Sequence, residues 1–243
     1  MRLACYADAM NTKILCAFLL LPAALLAAGE QPFGLTRRVP WTTSRVTGSP
    51  EPPHPYRIER AFPGLTFRNP LHITRTPGLD RWFVSEQGSK IYSFRNDQAC
   101  TQRDLFLDVS ADLHSWDRAK VRGVDSVYAL AFHPQFAKNR LCYVCYVLNG
   151  KDNTRLPDGS RVSRFRVTDT DPPRIDPASE KVVITWLAGG HNGCDLQFGP
   201  DGFLYISTGD ATNPNPPDAL DTGQDVSDLP SSILRIDVDR GGR

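Results

Sequence analysis

The chain has 243 residues, 40% hydrophobic and 23% charged, with 28 basic side chains against 27 acidic ones. This balance excludes a disordered or fibrous chain, and the lack of any basic cluster interleaved with aromatics argues against a nucleic-acid partner. Twenty prolines and 18 glycines oppose long helices and suit many short strands joined by turns.

The first element reads as an export signal. An apolar stretch at 14–26 follows Lys13 and ends in Ala27-Ala28-Gly29, a small-residue cleavage site. Residues 1–29 are therefore expected to be a signal peptide; an uncleaved anchor is the alternative, although the stretch is short for a membrane span. Residues 30–55, rich in Pro, Ser, Thr and Gly, read as a linker, and 56–243 as the folded domain. Cleavage would leave a periplasmic or extracellular protein without a transmembrane segment.

After the linker the chain repeats itself about every 60 residues. The first copy predicts strands at 71–74, 82–85, 90–94 and 104–109, with Pro77-Gly78 as a turn. In the second, Ala129-Leu130-Ala131-Phe132-His133-Pro134 leads to strands at 141–147, 162–167 and 181–186. The third is a hairpin, 196–198 and 203–206 around Gly199-Pro200-Asp201-Gly202, followed by a strand at 232–238. One small sheet buries little alone, so such units stack radially into a β-propeller; a β-sandwich is the competing all-β answer. Propellers close with about four to eight blades. Three are expected here, so the reading predicts an incomplete ring: a fragment, a truncated product or a chain needing a second half.

Cys5 and Cys16 fall in the leader, leaving Cys100, Cys142, Cys145 and Cys194. Cys142 and Cys145 have C-x-x-C spacing, but within a strand residues three apart point to opposite faces. A shared metal or redox site is not expected from them. A disulfide elsewhere stays open.

The most informative stretch is the third-unit hairpin, which runs from His191 to Asp210. A turn at 199–202 would place 198 opposite 203 and His191 opposite Asp210. An imidazole beside a carboxylate is the arrangement of a general base and its orienting partner; a strand-end histidine satisfying a backbone group is the plainer reading. His133, at a strand-to-turn position, is expected to hold a turn. Asp125, Asp201, Asp225 and Asp237 are expected to serve as turn residues or strand-end caps, and no metal ligands are assigned.

Three segments resemble the soluble glucose/sorbosone dehydrogenase family, β-propeller sugar dehydrogenases that use pyrroloquinoline quinone (PQQ). They are Val127-Tyr128-Ala129-Leu130-Ala131-Phe132-His133-Pro134-Gln135-Phe136, the His191 to Asp210 hairpin, and Gly223-Gln224-Asp225 with Ser232-Ile233-Leu234-Arg235-Ile236-Asp237. The resemblance implies an all-β propeller with about three of six blades present. It also implies oxidation of a sugar C1 hydroxyl, with His191 as the base and Asp210 as the residue that orients it. PQQ and calcium are the implied cofactors, and a small-molecule sugar and a cytochrome or other electron acceptor the implied partners. The family's quinone and calcium ligands lie mostly downstream of the third blade, so this chain alone is not expected to bind them. Val124 stands where glucose-oxidising members have glutamine, Gly190 where they have aspartate, and Cys194 at the motif's second glycine.

Two other functions remain in view. A catalytically silent propeller would bind a glycan or a protein. A lactone or ester hydrolase would need a metal ringed by carboxylates and asparagines, and the acids here show no such set.

Overall fold

A computed structural model describes residues 42–43 and 56–240; the expected signal peptide, 1–29, and nearly all of the linker, 30–55, lie outside the described residues. The chain divides into Met1–Arg57 and Ile58–Arg243, and everything below belongs to the second unit.

Three antiparallel sheets follow one another along the chain. The first is a meander of β1 (Pro70–Arg75), β2 (Arg81–Glu86), β3 (Lys90–Arg95) and β4 (Asp104–Asp108). The second has the same order in β5 (Val121–Phe132), β6 (Leu141–Gly150), β7 (Ser160–Val167) and β8 (Ile175–Trp186). The third contains β9 (Leu196–Phe198), β10 (Leu204–Ser207) and β11 (Ile233–Ile236), with β10 in the middle. These are three blades of a β-propeller. The only α-helices among the described residues are single turns, α1 (Val109–Asp112) and α2 (Phe136–Asn139).

Strand alternation makes the blades stack. In β6, Cys142, Val144, Tyr146 and Leu148 turn toward the first blade and join Phe83, Ile91, Phe106 and Leu107. Tyr143 and Cys145 turn the other way and join Leu196, Leu204 and Ile206 of the third blade. The two cysteines thus occupy opposite faces, as period-two geometry requires, and the described cysteines are all free thiols. Ring centre to ring centre, Phe83 lies 4.8 Å from Phe106 within the first blade and 4.7 Å from Phe132 across the first inter-blade seam. Each such buried ring contributes about 1.5–3 kcal/mol through apolar burial, so packing between sheets holds the blades together.

β5 begins eight residues before the expected 129, and the reason is visible in its pairing with β6. The register shifts three times, between Val121 and Gly123, Val124 and Ser126, and Val127 and Ala129. Arg122, Asp125 and Tyr128 are the extra residues left outside the ladder. Three bulges three residues apart erase the period-two pattern by which a strand is recognised. Asp125 is thus an internal strand residue, not the turn or cap residue expected from sequence.

Candidate active site

The hairpin between β9 and β10 pairs Phe198 with Leu204, one residue off the expected 198–203 pairing. The cause is a three-residue reversal, Pro200-Asp201-Gly202. Gly199 N–H donates to the Phe203 carbonyl (3.0 Å), Gly202 sits at φ +81°, and the Asp201 carboxylate accepts the Phe203 N–H (3.1 Å). This is the αL-glycine hairpin loop that follows a type I turn.

In an unbroken ladder a one-residue slip would send Asp210 to the opposite face from His191. The ladder is broken before it reaches them. Gly193 takes φ +65°, and Gly209 passes so close to the facing chain that a Cβ there would meet the His191 carbonyl at 2.1 Å. Beyond this pinch, His191 N–H donates to Thr212 O (2.7 Å) and its carbonyl accepts from Ala211 N–H (2.9 Å). Asp210, facing His191 only obliquely, reaches back with its side chain. His191 Nδ1 lies 3.4 Å from Asp210 Oδ1; the imidazole is 50% exposed and the carboxylate 15%.

Asp210 is held from behind. Thr212 N–H donates to Oδ1 (2.8 Å) and Asp218 N–H to Oδ2 (3.1 Å). These donors, Thr212 first, pull its pKa below the ordinary carboxylate value, with His191 adding to the effect. The carboxylate is therefore ionised at neutral pH. It lies nearest Nδ1, which favours the tautomer protonated there and leaves Nε2 as the acceptor.

Asn192 fixes the segment that carries the imidazole. It is 3% exposed, accepts the Gly189 N–H (2.7 Å), and donates to the carbonyls of Gly189 (3.1 Å) and Gly190 (3.2 Å). Tyr128, one of the bulged residues of β5, donates its hydroxyl to Asp125 (3.4 Å). Burial raises its phenol's pKa, and the Asn192 amide comes close enough to oppose that rise. Asp218, Thr212 and Tyr128 were not legible as site residues: two come from a Pro-rich loop and the third from a neighbouring blade.

The remaining candidates are placed elsewhere. His133 lies at the opposite end of β5, where its Nδ1 accepts from Gln135 N–H (3.0 Å) and meets the Asn139 amide (2.7 Å). It holds the turn, as expected. Asp201, Asp225 and Asp237 accept backbone N–H groups two residues on, which is turn chemistry. A second histidine–carboxylate contact, missed in the sequence, joins His72 Nε2 to Asp195 Oδ1 at 3.6 Å. Burial lowers the His72 pKa, although Asp195 opposes this.

A cavity of about 320 Å³ opens against Gly189 and Gly190, the two residues that precede His191 in the chain, and His191 itself does not line it. Its walls are the start of β5, the end of β6, the loop after β6, Gly189 and Gly190, and Asn213. Among the described residues no group of three His, Cys, Asp or Glu side chains could hold a metal ion, and no helix is long and apolar enough to cross a membrane.

A family model described as glucose/sorbosone dehydrogenase matches residues 67–242. The chain is similar to the mouse (Mus musculus) Hedgehog-interacting protein, 34% identical over 189 residues that cover 75% of this chain and 26% of that protein. Its fold is similar to the PQQ-bound form of the aldose sugar dehydrogenase of Streptomyces coelicolor, with TM-score 0.51 and 20% identity over 70% of this chain and 45% of that one. A glucose dehydrogenase structure matches similarly, with TM-score 0.52 and 19% identity over 70% of this chain and 44% of that one. The chain therefore spans about a quarter of the curated relative and under half of the solved structures.

Proposed function

This chain belongs to the glucose/sorbosone dehydrogenase family, and we propose that it supplies the proton-accepting pair of an aldose oxidation, with His191 as general base and Asp210 as the residue that orients it. Oxidising a C1 hydroxyl to a lactone releases one proton and one hydride. The proton goes from the hydroxyl to His191 Nε2, while ionised Asp210 stabilises the imidazolium that results; the two-electron acceptor for the hydride would be the quinone that family membership implies. The observation that carries the reading is the 3.4 Å approach of Nδ1 to Oδ1, with half of the imidazole open to a substrate. Export to the periplasm or cell exterior, and a cytochrome or other acceptor for the electrons, belong to the same proposal.

PQQ and calcium are the cofactors that family membership implies. The described residues do not form a seat for them. Both Asp210 oxygens are committed to N–H groups, and no aromatic side chain lines the cavity to stack on a planar quinone. The role assigned to this chain is therefore the proton transfer alone.

The test uses protein expressed from its natural reading frame and supplied with PQQ, calcium and a panel of aldoses. Where that reading frame also encodes the cofactor seat, sugar-dependent dye reduction is expected, and His191→Ala should lower it by about 10²–10⁴-fold, the usual contribution of a general base. An unchanged rate in that variant removes His191 from the mechanism.

A second reading has its own support. The Hedgehog-interacting protein is 34% identical to this chain, against 20% for the sugar dehydrogenase, and Val124, Gly190 and Cys194 depart from the enzyme pattern. A non-catalytic propeller that binds a glycan or protein predicts no turnover with any aldose, and binding indifferent to His191→Ala.

A further inference from the structure

We propose that the cavity against Gly189 and Gly190 is an anion-selecting subsite that recognises a carboxylate-bearing sugar through Arg122 and Arg155; the inference rests on the sugar-site reading above and names its substrate class.

The cavity lies on the catalytic rim. The ladder pairs Val121 with Gly150 and Ser160 with Trp186, so the start of β5, the end of β6 and the end of β8 share one end of the second blade. Ala188 N–H donates to Leu156 O (2.9 Å) and closes that end. The wall toward the base is Gly189-Gly190, immediately before His191. Gly190 is wedged against the loop segment that hydrogen-bonds His191: a Cβ there would meet Thr212 O at 2.1 Å and Asn213 Oδ1 at 2.8 Å. The position of the cavity relative to His191 is therefore fixed by backbone packing.

Its electrostatics are one-sided. Arg122 and Arg155 line it, and no aspartate or glutamate does. Both arginines are exposed, and neither has a hydrogen-bond or ion-pair partner among the described residues, unlike Arg161, which pairs with Asp158, and Arg235, which pairs with Asp201. Asp125, three residues after Arg122, is taken up by Asn149 (3.3 Å) and Tyr128 (3.4 Å). Arg122 is itself a bulge residue, and a bulge re-aims a side chain out of the ladder beside a site. An unpaired guanidinium presents a fork of N–H donors matched to a carboxylate.

The rest of the lining favours a sugar over a flat aromatic acid. Asn149, Asn153, Thr154 and Asn213 offer donors and acceptors for hydroxyls, and no ring lines the cavity for stacking. Its volume is at the lower end of small-ligand pockets, about 300–1,000 Å³.

The experiment is calorimetric titration of the exported protein with D-glucuronate, D-glucose and free PQQ, at low and at high salt. Glucuronate should bind at least about tenfold more tightly than glucose, the equivalent of one charge-assisted contact, and its affinity alone among the two sugars should fall with salt. The Arg122→Ala/Arg155→Ala double variant should bind both sugars equally. His191→Ala should keep the glucuronate preference whatever happens to turnover, which separates failure of the base from failure of the subsite. Equal binding of the two sugars, no binding of either, or an undiminished preference in the double variant overturns the proposal. Arginine-dependent binding of PQQ without binding of glucuronate also overturns it and assigns the arginines to the cofactor.

Discussion

The two ends of the blade stack each carry a histidine facing an aspartate, yet they are built for opposite purposes. At one end His191 Nδ1 lies 3.4 Å from Asp210, with half of the imidazole in solvent and the acid nearly covered. At the other His133 Nε2 lies 3.1 Å from Asp239, and there the imidazole is 3% exposed and the acid 66%. Exposure is exchanged between the partners. His133 spends its Nδ1 on Gln135 and Asn139 and packs its ring on Phe198 at 5.4 Å, so nothing is left for a ligand. His191 anchors its backbone to Thr212 and Ala211, turns Nδ1 toward Asp210 and keeps half of its ring in solvent. Proximity of an imidazole to a carboxylate does not by itself mark a reactive pair; the distinction is which partner is anchored and which is open.

Substitutions should separate the two ends, and the largest effect is expected where the chains pinch. Gly209→Ala places a methyl group 2.1 Å from the His191 carbonyl; overpacking against backbone should cost about 3 kcal/mol, read as a fall in the urea midpoint at unchanged m-value. His133→Ala comes next, at about 2–3 kcal/mol, because it leaves the Gln135 N–H and Asn139 amide without their acceptor and opens a gap beside Tyr143 and Phe198. A loss under about 0.5 kcal/mol would undo the contrast by making His133 dispensable.

Asp210→Asn should cost about 1 kcal/mol at neutral pH, since the amide oxygen can serve only part of the donor set from Thr212 and Asp218. It should also change the acid limb. The folded-state pKa of Asp210 is depressed, so its contribution is complete above the unfolded value of about 4 and is lost as pH falls through the folded one. Stability against pH, measured by urea titration, should therefore lose less below pH 4 in the variant than in the parent. The smallest effects are expected for Asp239→Asn and His191→Ala, each within about 0.5 kcal/mol, because one acid and the other imidazole are solvent-exposed. A large stability loss in His191→Ala would make that histidine structural and collapse the comparison.

Much of this arrangement was legible in the sequence. The four strands of the first blade fall close to where alternation and turn residues place them, and the C-x-x-C pair separates to opposite faces because a pleated strand permits nothing else. The junction of His191 with Asp210 was anticipated, but by a register one residue out: the loop takes Pro200-Asp201-Gly202 alone, and the contact survives only because glycines break the ladder first. The start of β5 was missed because Arg122, Asp125 and Tyr128 bulge out at intervals of three. Those residues are the ones that reach toward Asn149, Asn192 and the cavity, so the irregularity that hid the strand is the same one that furnishes the rim.

Local chemistry therefore determined the blades, their count and the hairpin that carries the imidazole, since strand period and turn residues act over a few positions and need no partner. Only the tertiary structure decided which histidine is open, which donors ionise Asp210, and where two unpaired arginines meet. Those outcomes depend on burial and on contacts between separate loops and blades, and the spacing of residues along one strand carries no record of either.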